Sequence, residues 1–174
     1  MYETPEDLAA LQALLDHSQT GAGAHLADIF TPDRWLDAAA LTAQLQSMCL
    51  LSLATVTADH RPLVGAVDAF FIRGAFCFGS SPTSVRARHI AARPQVSAVH
   101  LPGEHLSVTV HGRAVPIDWA GPESSPDPFA GALLDALREK YGAGNFGEQG
   151  FPYWRIDADK MFVFHMEPGA ANSD

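Results

Sequence analysis

The residues of this chain best suited to chemistry are hydroxyls and guanidiniums gathered in one short stretch, Gly79 to Val99, GSSPTSVRARHIAARPQVSAV. Ser80, Ser81, Thr83 and Ser84 precede Arg86 and Arg88, and Arg93 follows. Ser81 reads as a helix N-cap with Pro82 in the first helical position, which leaves backbone N–H groups pointing out of the helix start. Those donors, at the positive end of the helix dipole, favour an anion such as phosphate. Arg86 adds a planar fork that matches phosphate oxygens. The same composition also suits an ordinary capped and solvated helix, and local physics leaves both open. Arg93 lies at the far end, where a cation suits the dipole and has no claim on the anion.

Other chemistries find less support. Eight histidines occur, but His105 and His111 are six strand residues apart, or roughly 20 Å. His100 and His105 flank a turn and have no third ligand in view, so no metal site is expected. Neither Cys49 nor Cys77 belongs to a C-x-x-C pair, and H-E-x-x-H and G-x-S-x-G are both missing. Both cysteines sit inside apolar runs and read as buried thiols, with a disulfide left open. A formal charge of −9 opposes binding to nucleic acid and to anionic membranes. No apolar run approaches the roughly 20 residues of a membrane span. The acidic, amphipathic N-terminus is not a signal peptide, so a cytoplasmic protein is expected.

These residues need elements to hold them. With 47% hydrophobic and 18% charged residues, the composition is that of a globular chain. Thr4, Pro5 and Asp7 form a capping-box-like helix start, followed by Leu8, Leu11, Leu14 and Leu15 at helical spacing. After a break at residues 21–23, a second helix is expected from about Leu36 to Met48. Residues 1–48 would thus be a helical extension packed on the body. Three strands follow, with turns at Ala58–Arg61 and Arg73–Gly74. Then come a short helix from Pro82 to Ala92, two strands joined at Pro102–Glu104, a helix from Phe129 to Tyr141, and a strand pair or one bent strand from Tyr153 to Met166. The loops Ala120–Phe129 and Gly142–Gly150 are expected to select substrate. Residues 49–168 would form the barrel domain and 169–174 a frayed tail. His105, Ser107, Thr109, His111 and Arg113 share one polar strand face, opposite Leu106, Val108 and Val110. The expected fold is mainly β with flanking helices: an antiparallel β-barrel with an N-terminal helical extension.

The ordered series Ala54-Thr55, Arg61-Pro62, Phe76 to Gly79, Ser84 to Arg86, and Arg93-Pro94-Gln95-Val96 resembles the pyridoxamine 5'-phosphate oxidase-like family of flavin-binding split barrels. VTVHGRAVPID resembles a later family strand, and the likeness covers about Leu50 to Asp118. It implies that the barrel is a split β-barrel, with FMN, or alternatively the deazaflavin F420 or haem, at a homodimer interface. Ser80, Ser81, Ser84 and Arg86 would hold the phosphate, with Arg88 assisting. The backbone of Gly65, Ala66, Val67 and Asp68 would run along the ring, the small residues permitting close approach. Ser107 would make a polar contact to the flavin. Trp154 and Arg155 would wall the site, although Trp154 suits the core equally well; Trp35 and Trp119 are expected to pack. The substrate-recognition pattern of true pyridoxamine phosphate oxidases is missing. The expected activity is therefore flavin-dependent hydride or electron transfer with another small organic substrate. A cofactor-binding module without catalysis is the competing class.

Overall fold

The computed structural model describes residues 2–29, 31–118, 126–142 and 151–167. Six strands form one closed antiparallel barrel in the order β1-β2-β3-β6-β5-β4. They are β1 (Cys49–Val56), β2 (Pro62–Ile72), β3 (Ala75–Gly79), β4 (Gln95–Gly103), β5 (Leu106–Pro116) and β6 (Tyr153–His165). Alternation drives the closure. Leu51 and Leu53 on β1, Val96 and Ala98 on β4, and Val108 and Val110 on β5 all point inward and are buried. The β2–β3 turn falls on Arg73 and Gly74, whose φ angles of 52° and 79° are those of the tight hairpin turn expected there.

The C-terminal element is one bent strand. Its ladder with β5 runs from Leu106↔His165 to Pro116↔Trp154 and slips between His111 and Gly112, leaving Asp159 as the extra residue. Gly112 sits where the chains come closest, and a Cβ there would lie 2.8 Å from Ala158 Cα and closer still to the Asp157 carbonyl.

Helix α1 (Pro5–Thr20) starts with the expected capping box: Asp7 N donates to Thr4 Oγ1 and Thr4 N to the Asp7 carboxylate. Its Leu11 and Leu15 enter the barrel core. The buried Ser18 hydroxyl donates to Leu14 O and accepts from Met161 N at 2.9 Å, which pins the helix beside the β6 bulge. The second helix, α3 (Ala38–Gln44), is shorter than expected and capped by Asp37. A short helix, α2 (Ala24–Ile29), and a 3-10 turn at Pro32–Arg34 precede it where a plain break was expected. Helix α5 (Pro128–Tyr141) lays Leu133 and Leu137 over Phe70, Ile72 and Cys77, making a second core outside the barrel.

Helix α4 (Val85–Ala92) begins three residues later than the sequence suggests. Ser84 is the N-cap, accepting from Ala87 N at 3.0 Å. Ser81 instead starts a turn, receiving Ser84 N on its carbonyl. Pro82 fixes the φ that a turn needs just as well as the φ of a first helical residue, and this explains the shift. The helix buries Ala87 and Ile90 in the main core, and His89 Nδ1 lies 3.0 Å from the hydroxyl of Thr55 on β1. Both cysteines are buried free thiols, as expected. Burial pushes the Cys49 thiol up to about 11.

Candidate functional site

The start of α4 lies against β2, and Arg86 is the link. Its Nη1 donates to Ser80 Oγ at 3.2 Å and its Nη2 to Ala66 O at 3.2 Å. Ser80 Oγ also lies 2.9 Å from Ser84 Oγ, so two hydroxyls and one guanidinium form a continuous polar cluster. The guanidinium rests directly over Gly65, where a Cβ would come within 2.8 Å of Nη2. A side chain at this position would push the guanidinium tip aside, so the glycine leaves Arg86 its seat, a role additional to the close ring approach expected from sequence. Arg88 is exposed, and its Nη1 donates to Thr83 O at 2.9 Å, which ties it to the same turn. Ser81 Oγ pairs with Thr83 Oγ1 on the outer side.

The electrostatics of Arg86 set it apart. Arg61 pairs with Asp59, Arg73 with Asp7, and Arg155 with Asp127 and Asp157. Among the described residues no carboxylate stands within ion-pair distance of Arg86. Burial draws its pKa down from the usual arginine value, with no anion to offset the lost water. A partly desolvated cation with spare N–H donors, beside two hydroxyls and a helix N-terminus, is a fitting seat for a phosphate. These residues fit the phosphate end of a flavin nucleotide.

The other expected residues divide into two groups. Ala66 and Asp68 point outward from β2, while the Val67 side chain is core, so only its backbone faces the site. Asp68 accepts a hydrogen bond from Tyr141 of α5 at 3.1 Å. Ser107 is on the outer face of β5, opposite Phe164, and among the described residues no hydrogen bond joins it to the Arg86 cluster. Trp154 takes the packing role: it is 7% exposed and stacks on Phe78 with centroids 5.7 Å apart. It also borders an apolar groove with Ala87, Pro94 and Pro116. The polar face of β5 alternates as expected with buried Leu106, Val108 and Val110. No group of metal-ligating side chains occurs among the described residues. Trp119 and most of the two loops expected to choose substrate lie outside the described residues.

Two features were not read from sequence. A cleft of about 230 Å³ opens beside Ser80, bounded by Asp68, Phe70, Tyr141, Phe151 and Tyr153. Tyr141 is the last residue of α5, where an aromatic reads as one more amphipathic helix position. The second is a set of exposed apolar side chains, Leu50 at 59%, Val64 at 68% and Leu101 at 62%, on β1, β2 and β4. No described helix is long and apolar enough to cross a membrane.

No protein-family model and no curated protein matches the sequence. Solved structures do match the fold. HutZ from Vibrio cholerae, described as a heme storage protein, superposes with a TM-score of 0.56 at 20% identity, covering 71% of this chain and 90% of that one. A putative pyridoxamine 5'-phosphate oxidase from Listeria innocua gives 0.54 at 12% identity, covering 72% and 93%. An F420 reductase gives 0.52 at 18% identity, covering 69% and 94%. The chain thus has the split-barrel fold of the pyridoxamine 5'-phosphate oxidase-like proteins.

Proposed function

We propose that this protein is a flavin-dependent oxidoreductase that binds FMN at a homodimer interface and exchanges hydride or electrons with a small organic substrate. One observation carries the proposal: Arg86, half-buried and without a carboxylate partner among the described residues, is seated over Gly65 beside the Ser80 and Ser84 hydroxyls. Similar folds include proteins described as an F420 reductase and as a pyridoxamine phosphate oxidase.

The roles of the chain follow from its positions. Arg86, Ser80 and Ser84 hold the phosphate, and the free N–H groups at the start of α4 add to them. Ser81 and Arg88 stiffen the turn that presents these groups. The outward backbone of Gly65 to Asp68 orients the ring. A flavin supplies the hydride chemistry when bound, so the protein needs only to bind, orient and shield it. Shielding comes from a second subunit, which would cover exposed apolar side chains such as Leu50, Val64 and Leu101.

The absorption spectrum of the purified protein, before and after adding FMN, is the test. Flavin bands with saturable binding support the proposal. A deazaflavin spectrum would reassign the site to F420, and a Soret band would reassign it to haem, as the heme storage fold relative suggests. Binding of none of the three rejects it. Light scattering should report a dimer, and a monomer with full cofactor affinity would reject the interfacial site.

A further inference from the structure

The cleft beside Ser80 has a chemistry of its own. Among the described residues its walls carry the aromatic rings of Phe70, Phe78, Tyr141, Phe151 and Tyr153 and the carboxylate of Asp68. No lysine, arginine or histidine is among the described residues that line it. Asp68 is exposed and has no cationic partner among the described residues. Among the described residues, its hydrogen bond is the one received on Oδ2 from Tyr141, which leaves Oδ1 to a ligand. Burial, and then that bond, push the Tyr141 phenol up, so it stays protonated and keeps Asp68 oriented. Gly79 matters as well: the Tyr153 ring lies where a Cβ would meet it at 2.8 Å, so the missing side chain lets the ring close against β3.

Rings present a negative face to a cation, and a nearby carboxylate adds to that field; an anion would meet repulsion from both. A cleft of about 230 Å³ suits a ligand of a few carbon atoms, somewhat larger than the single-ring cavities of about 150 Å³ known to hold benzene. We infer that the cleft is a binding site for a small organic cation of the alkylammonium class, held between the Tyr141 and Tyr153 rings with Asp68 as its counter-charge. Its position beside Ser80 puts that cation next to the cluster assigned to the cofactor phosphate. Calling the cation a substrate rests on the proposed function; its binding does not.

Choline and its uncharged isostere 3,3-dimethylbutan-1-ol distinguish the cation from mere shape. Chemical-shift titration should be run on the protein with and without added FMN, so that failure of the cofactor reading and failure of this site are scored separately. Choline should saturate shifts at the residues of the cleft and bind at least about tenfold more tightly than the alcohol. Asp68→Asn and Tyr153→Leu should each weaken choline by about tenfold or more, with unfolding midpoints checked for both. Tyr141→Phe keeps the ring but frees Asp68, and should cost less than Asp68→Asn. Equal affinity for choline and the alcohol, unchanged choline affinity in Asp68→Asn, or no saturable shift with either probe would overturn the inference.

Discussion

Replacing Gly65 with alanine should uncouple cofactor affinity from stability. The new Cβ would stand 2.8 Å from Arg86 Nη2, whereas unstrained contact needs about 3.5 Å. The neighbour is the tip of a flexible side chain, so the guanidinium moves by about 0.7 Å and the backbone stays. That displacement strains the 3.2 Å hydrogen bond to Ala66 O and turns the fork away from Ser80. Losing one such bond costs about 0.5–1.5 kcal/mol. Alanine in a strand recovers about 0.5–1 kcal/mol of the backbone entropy that glycine loses. Stability should therefore change by less than about 1 kcal/mol, and the melting midpoint by no more than about 3 °C. Binding is different, because a misplaced charge-assisted contact to phosphate is worth about 1.5–3 kcal/mol. FMN affinity should fall by about 10- to 100-fold. Fluorescence quenching of FMN gives the dissociation constant, and thermal denaturation gives the midpoint. Gly23→Ala, where a Cβ meets nothing within 4 Å, is the control. An FMN affinity within about twofold of wild type would refute the idea that Gly65 exists to seat Arg86 for the cofactor.

Gly112→Ala faces backbone on the opposite strand, with Ala158 Cα at 2.8 Å, and cannot be relieved by a side-chain movement; denaturant titration should show a loss of at least about 2 kcal/mol. Ser18→Ala leaves the buried Met161 N–H without its partner, which should cost about 1–3 kcal/mol with an unchanged denaturant slope. Ser84→Ala removes the α4 cap, costing about 1 kcal/mol of stability, and it should weaken FMN as well, whereas Asp37→Ala, at the cap of α3, should lower stability alone. Burial raises the Cys49 thiol to about 11 from 9.0 in the absence of structure. The stability held by its protonated form is complete below pH 9.0, and it is lost as pH rises toward about 11. Accordingly, iodoacetamide at pH 8 should leave the native thiols unmodified, and rapid labelling there would contradict their burial.

The barrel was legible because local signals agreed with the global arrangement. Arg73-Gly74 marked its turn by glycine chemistry, Thr4 and Asp7 marked a helix start by spacing, and the Leu106–Val110 alternation marked a two-sided strand. The start of α4 was legible only in outline. Ser81-Pro82 and Ser84 both satisfy the rules for a helix start, and the choice fell to Ser84 because Ala87 and Ile90 had to meet the barrel end. Longer-range pairs left no local trace. Tyr141 reaches Asp68 across 73 residues and Ser18 reaches Met161 across 143. Only the closed barrel and the docking of α1 and α5 create those contacts. Trp154 shows the opposite limit: a large aromatic suits a cofactor wall and a core alike, and only the stacking on Phe78 decides.

The phosphate anchor is tested most directly by comparing FMN with riboflavin, which carries the same ring and no phosphate. If the cluster of Arg86, Ser80 and Ser84 grips the phosphate as proposed, wild-type protein should bind FMN about 100-fold or more tightly than riboflavin. In Arg86→Ala that preference should collapse to about tenfold or less while the protein stays folded. Equal affinity of the wild-type protein for the two flavins, or a preference untouched by Arg86→Ala, would contradict a phosphate site at the start of α4.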